Sequence, residues 1–159
     1  MTKLALFSEQ GLELKESIQE LLAFSVNEEA FAVELKDIVE IVVPPPITLV
    51  PRAAKAVLGV CSVRGQLVTV VDLRCILGLP ASKTTAQGRI LLAQSGGNTF
   101  GLQVDSVQQV VRLKSEKIEK TSFQGNNDSV EAVRAIARLR EGEVIVILDI
   151  NALYERSRS

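Results

Sequence analysis

Histidine is absent from this chain, and so is tryptophan; cysteine occurs twice and tyrosine once in 159 residues. The missing imidazole removes the commonest general base and the commonest metal ligand near neutral pH. Two thiols, Cys61 and Cys75, are too few for a thiolate metal cage. Their apolar neighbours Val60, Val63 and Ile76 mark them as free buried thiols in a reducing cytosol, not as a disulfide. Neither charge sign dominates: 18 basic residues stand against 19 acidic ones, for a net charge of -1. That balance excludes a general attraction to nucleic acid or to anionic lipid. No apolar run approaches the roughly 20 residues of a membrane-spanning helix, and no cleavage-site pattern follows the short apolar start at residues 1–7. Phosphate-loop glycine patterns and nucleophile motifs are missing as well.

What remains is strand material. Hydrophobic residues make up 47% of the chain, enough for one compact core. With aromatics at 4%, their weight lies in Val, Ile, Leu and Ala, many of them β-branched. Residues 21–26 and 31–35 flank the polar turn 27–29 and read as a hairpin. Residues 37–43 continue the strand pattern until Pro44-Pro45-Pro46 ends it, because proline cannot donate to a sheet ladder. The prolines are read as a stiff loop in preference to a polyproline ligand. Residues 51–59 are expected to hold a helical turn, 80–88 to link two halves, and 1–19 to form a short helix or a loose tail.

The pattern then recurs. Phe31 to Val42 reads FAVELKDIVEIV and Phe100 to Val111 reads FGLQVDSVQQVV, 69 residues apart, with apolar residues at the same six places. The stretch from Val63 to Leu73 is matched by Leu139 to Ile150, 76 residues on at the arginines Arg64 and Arg140 and 77 on at the aspartates Asp72 and Asp149. Glu141 is the extra residue in the second turn. Landmarks in one order at nearly constant spacing indicate an internal duplication. Two copies are too few for a solenoid and suit two small barrels about a pseudo-twofold axis. Glu40 stands where the second copy has Gln109.

Duplicated aspartates invite comparison with a carboxylate dyad, but Asp72 and Asp149 are followed by Leu73-Arg74 and Ile150-Asn151, not by a hydroxyl residue and glycine. Each ends an apolar strand before a helix-compatible run, so each is assigned as a helix N-cap. Arg64 sits at a tight strand-to-strand turn, where it is either a solvated turn residue or a planar fork offered to a partner's carboxylate. The chain is read as a binding module, with no catalytic residues, no metal and no cofactor.

The ordered set LLAFSVNEEAFAVELKDIVEIV, VLGVCSVRGQLVTVVDLR, RILLAQSGGNTFGLQVDSVQQVV and AIARLREGEVIVILDINAL resembles the CheW-like domain of bacterial chemosensory systems. The resemblance implies an all-β fold of two SH3-like five-stranded barrels sharing a hydrophobic core, with short helices. The domain is expected over residues 20–154, with barrel one near 20–80, barrel two near 88–154 and strand exchange between them, followed by a tail at 155–159. The implied role is a non-catalytic, stand-alone adaptor that couples chemoreceptors to a CheA-type histidine kinase. It would lie in the cytoplasm, recruited to receptor arrays, without nucleic acid or direct membrane contact. The alternative is a decoy that binds the kinase without coupling it. By position, the receptor-facing residues fall on Ile38, Gly59, Arg64 and Leu91, and the surface for the kinase regulatory domain on Val42, Val43, Val50 and Arg52. Ser62-Val63, the 52–55 loop and Thr69 depart from the family pattern and leave the partners' identity open.

Overall fold

The computed structural model describes residues 18–83, 85–120 and 132–158. The expectation of a short helix or loose tail over residues 1–17 lies outside this range. Eleven strands and two α-helices are described: β1 Ile18–Val26, β2 Glu29–Glu34, β3 Ile38–Val42, β4 Val57–Val63, β5 Gln66–Asp72, α1 Leu73–Leu77, β6 Arg89–Ser95, β7 Asn98–Val104, β8 Ser106–Lys114, β9 Ile118–Lys120, β10 Val133–Arg138, β11 Val144–Leu148 and α2 Ile150–Ser157.

Three hairpins turn through two residues each. Asn27-Glu28 (φ 52° and 66°), Arg64-Gly65 (53° and 81°) and Gly96-Gly97 (55° and 85°) all have positive φ at both positions. This is the geometry whose twist matches that of the flanking strands. Glycine reaches it without steric cost, whereas Asn27, Glu28 and Arg64 are held there by the hairpins they close.

Strands from both copies build each sheet. One sheet runs β8-β1-β2-β11-β10-β9 and the other β3-β6-β7-β5-β4. In both, a hairpin of one copy meets a hairpin of the other through a short parallel pairing. Ile147 lies opposite Ala32 in one sheet and Val70 opposite Gly101 in the other. These are the same two repeat positions, so the pseudo-twofold relation holds down to the register.

The interior repeats the relation. The small core of the second sheet is Cys61, Val68, Val70, Ile90 and Leu92, with Val42 and Val63 packed on it. That of the first contains Ala137, Ile145, Ile147, Leu21 and Ala23, with Val111 and Leu139 packed on it. Position by position these are repeat equivalents. The opposite faces of the strands meet in a larger core shared by both sheets, centred on Phe24, Val33, Leu73, Leu91, Phe100, Leu102 and Leu153. Each fully buried side chain of this size contributes about 1.5–3 kcal/mol, and sharing one core lets two small barrels stand as a single domain. The fold is thus mainly β, two barrel-like sheets with few helices.

Both assigned caps are formed. Asp72 Oδ1 accepts the backbone N–H of Arg74 at 3.0 Å, and Asp149 Oδ1 accepts that of Ala152 at 3.2 Å. Asp72→Ala should lower stability by about 1 kcal/mol, read as a shifted urea midpoint with an unchanged slope; an unmoved midpoint would remove the cap from the stability account. At the other end of α1, Gly78 (φ 70°) closes the helix and Leu79 N–H donates to Arg74 O at 2.8 Å.

Three boundaries differ from the sequence reading. Residues 51–59 hold turns, with Ala53 N–H donating to Val50 O and Val57 N–H to Ala54 O, and then the start of β4; no helical turn forms there. Ile18 and Gln19 belong to β1, whose pairing with β8 begins at Ile18. Helix α2 runs to Ser157, which is buried, so the chain beyond residue 154 is no tail. Cys61 and Cys75 are both free, the first buried and the second half-buried against the shared core.

One polar cluster ties the sheets together. Arg74, 6% exposed, pairs through Nη2 with Asp105 Oδ1 and donates from Nε to Asn27 Oδ1 at 2.6 Å. The backbone N–H of Asn27 donates to Asp105 Oδ2 at 2.7 Å, and the Asn27 amide donates to Pro80 O at 2.7 Å. Asn27 belongs to the first sheet, Arg74 follows the second, and Asp105 joins β7 to β8. At the pseudo-equivalent place Asn151 meets Ser95 Oγ at 2.6 Å, a neutral contact.

Candidate functional site

In the second sheet β3 and β4 are the two end strands, and the barrel closes where they approach. The bridge is made by Thr48 and Val60, which exchange two backbone hydrogen bonds of 2.8 Å. The other closure is ionic. Arg64, at the β4–β5 turn, reaches Glu40 on β3 with Nε at 3.1 and 3.2 Å from the two carboxylate oxygens and Nη2 at 2.7 Å from Oε2. These hydrogen bonds and the carboxylate charge raise the Arg64 pKa above its ordinary value; the guanidinium, like any arginine, is charged throughout the neutral range. Arg64 itself remains exposed, and Glu40 fixes the direction of its fork. The pair fixes the direction of an exposed guanidinium; surface ion pairs add little to stability.

The same sheet leaves apolar side chains in solvent: Val39 and Ile41 on β3, Val43 just after it, Leu49 and Val50 after the prolines, and Leu67, 78% exposed, three residues beyond Arg64 in the chain. A charged planar fork on a sheet that also exposes aliphatic groups has the composition of a protein-docking surface.

The expected receptor-facing residues separate on this frame. Arg64 is exposed. Ile38 is half-buried, paired with Ala93 on β6 and packed against the shared core. Gly59 is buried with φ 155°, and a Cβ there would lie 2.3 Å from the backbone oxygen of Thr48. Its glycine identity is required by the strand crossing. Leu91 is fully buried in the shared core, opposite Ile41 on β3. It reaches no partner directly and supports β3 from within, which removes it from the contact set. Of the kinase-facing set, Val43 and Val50 are exposed, Arg52 is exposed at φ 61°, and Val42 packs half-buried on the small core. Leu67 was not among the expected residues; its alternation with Val68 and Val70 is visible in the sequence, but its 78% exposure is seen only in the structure.

Among the described residues, no depression is lined by both Asp72 and Asp149. Asp149 lines a polar depression of about 260 Å³ with Glu34, Lys36, Asp37 and Arg134, and Asp72 is not among its walls. Burial pushes the Glu34 carboxyl up, but the hydrogen bond and charge of Arg134, aided by Lys36, outweigh it and leave it below its ordinary value. This is the signature of a structural ion pair, with Arg134 Nη1 2.6 Å from Glu34. Among the described residues no group of His, Cys, Asp or Glu is arranged to hold a metal ion, and no helix is long and apolar enough to cross a membrane.

An exchanged pair of barrels with an oriented arginine at one mouth defines a duplicated β scaffold of the kind that binds other proteins. The CheW-like domain profile matches residues 20–158, and the chain belongs to that family. It is 27% identical over 146 residues to a probable chemotaxis protein CheW of Rhizobium etli, covering 92% of this chain and 94% of that one. It is 29% identical over 136 residues to the chemotaxis protein CheW of Rhizobium meliloti, covering 86% and 87%. A stretch of the chemotaxis protein CheA of Klebsiella aerogenes, 22% of its length, is 28% identical to 92% of this chain. The crystal structure of the scaffolding protein TtCheW from Thermoanaerobacter tengcongensis superposes with a TM-score of 0.78 at 26% identity, covering 86% of this chain and 92% of that one.

Proposed function

We propose that this chain is a non-catalytic adaptor coupling chemoreceptors to a CheA-type histidine kinase, working in the cytoplasm at receptor arrays. The observation that carries the reading is Arg64. A non-glycine residue is held at positive φ on a hairpin tip, and its guanidinium is aimed by Glu40 yet left in solvent. A helical receptor hairpin that offers a carboxylate and aliphatic side chains suits this mouth. The kinase regulatory domain, whose CheA relative contains a stretch similar to this chain, is assigned to the surface of Val43, Val50 and Arg52, with Val42 beneath it.

Arg64→Ala should weaken receptor pull-down at least tenfold while the far-UV circular dichroism stays native, because the residue is exposed and contributes little to folding. Unchanged receptor binding would take Arg64 out of the site. Reconstitution of receptor, kinase and this chain separates coupling from interference: stimulated autophosphorylation supports the adaptor, and inhibition identifies a decoy.

A further inference from the structure

A cavity of about 310 Å³ lies between the C-terminal end of α2 and strands β4, β5 and β7. Phe100, Val57 and Tyr154 give it an apolar lining; Thr69, Thr99 and Arg158, all exposed, give it a polar one. Tyr154 packs on Phe100 with ring centroids 5.3 Å apart, and the Arg158 guanidinium lies over the Tyr154 ring, 5.5 Å from its centroid. That cation–π contact restrains an otherwise exposed side chain. Arg158 is the one charged residue of the lining, and among the described residues no carboxylate pairs with it. The Thr69 and Thr99 hydroxyls have no hydrogen-bond partner among the described residues either. The duplication supplies an internal comparison. Asp72 N–H donates to Ala56 O as Asp149 N–H does to Ala132 O, which aligns Val57 with Val133. In the same repeat Val146 stands for Thr69, Ala30 for Thr99, Leu77 for Tyr154 and the acidic Glu29 for Asn98. Val133, Val146 and Leu77 pack on the shared core, and α1 stops at Leu77, before any counterpart of Arg158. Aliphatic groups therefore satisfy the fold at this position. The hydroxyls and the guanidinium are additions that its packing does not call for.

We infer that this cavity binds an organic carboxylate: one carboxyl group on a short apolar body. A guanidinium and two hydroxyls are donors suited to carboxylate oxygens. Val57, Phe100 and Tyr154 take up the body, a contact that inorganic phosphate cannot make. Ligand cavities span about 300–1,000 Å³, so this one takes a small group. The negative end of α2 opposes an anion with about half an elementary charge; Arg158 answers with a whole one. A free acid and a glutamate side chain flanked by apolar residues offer the same chemistry, and the test separates the two sources.

Phenylacetate is titrated into the isotope-labelled full chain and followed by amide NMR shifts. A ligand of this size should bind with a Kd on the order of 1 mM, moving the amides of Thr69, Thr99 and Phe100. Phenylacetamide, its neutral counterpart, should bind at least tenfold more weakly, and inorganic phosphate should leave these amides in place. Arg158→Gln should weaken phenylacetate binding tenfold or more. Thr69→Val, which installs the residue of the other copy, should weaken it about threefold. Both residues are exposed, so the amide spectrum away from the cavity should stay native. An acetylated, amidated Leu-Glu-Phe peptide is the second arm. Tighter binding than phenylacetate assigns the site to a partner's acidic side chain, and weaker binding assigns it to a free acid. Three results would each overturn the inference: equal binding of acid and amide, no movement at about 10 mM of either carboxylate, or wild-type affinity in Arg158→Gln. The Arg64 mouth has no part in this site, so its failure leaves the adaptor reading as it stands.

Discussion

Asp105→Ala is expected to lower the stability of this protein by about 3–5 kcal/mol, as measured by urea unfolding followed by circular dichroism. The residue looks unremarkable in the chain, one aspartate between Val104 and Ser106. In the fold it is the partner of Arg74, a residue 6% exposed that also donates to Asn27, which in turn is tied to Pro80 and Ser82. Removing the carboxylate strands a buried cation and also frees the Asn27 N–H, which donates to Asp105 Oδ2. Against the 5–15 kcal/mol that holds a domain of this size, such a loss is large. The expected cause is the orphaned charge, not the missing attraction, and a second variant distinguishes them. Arg74→Met combined with Asp105→Leu removes both charges and should recover much of the loss, since a buried pair is often replaceable by apolar side chains of similar volume. If Asp105→Ala shifts the midpoint by less than the equivalent of 1 kcal/mol, water reaches Arg74 and the cluster is no joint between the sheets.

Gly59→Ala is the second large effect. The added methyl would lie 2.3 Å from Thr48 O and 2.8 Å from Ile47 Cγ2, on a backbone at φ 155°. Overpacking costs about 1–3 kcal/mol, and the unusual backbone conformation adds a similar amount of strain. Backbone cannot swing aside as a side chain can, so the relief is separation of the 47–48 segment from β4 and loss of the paired Thr48–Val60 hydrogen bonds. A destabilisation of about 3 kcal/mol or more is expected, again from the urea midpoint. The resemblance to the family placed Gly59 among receptor-facing residues; in the fold it is buried against Thr48 and Ile47. Opening this crossing loosens the barrel mouth that Arg64 and Glu40 close. Native stability combined with lost receptor binding would instead make Gly59 a direct contact and refute the packing account.

Much of the frame was legible from residue types alone. Hairpins announced themselves because the polar turn 27–29 and Arg64-Gly65 sit between apolar runs, and turn chemistry is local. The caps Asp72 and Asp149 were legible for the same reason: an acceptor before a helix-compatible run meets backbone N–H groups two or three residues away. The helical turn expected at 51–59 failed because propensity there is overridden by the pairing of β4 with β5 and by the Thr48 bridge. Leu91 was assigned a surface role that its complete burial excludes, since a leucine in an apolar run looks the same facing a partner or a core.

By itself the sequence determined that the chain is duplicated, that its copies are β hairpins with capped ends, and that histidine chemistry is excluded. These follow from composition and from periods and turns that act within about ten residues. Only the tertiary structure decided that the copies exchange strands so that each sheet draws on both, that Arg64 finds Glu40, and that Arg74 finds Asp105 across the joint. Those partners are 24 and 31 residues apart in the chain. Their meeting depends on which face of a strand turns inward and which edges close a barrel, and both are settled by burial of the whole apolar surface at once.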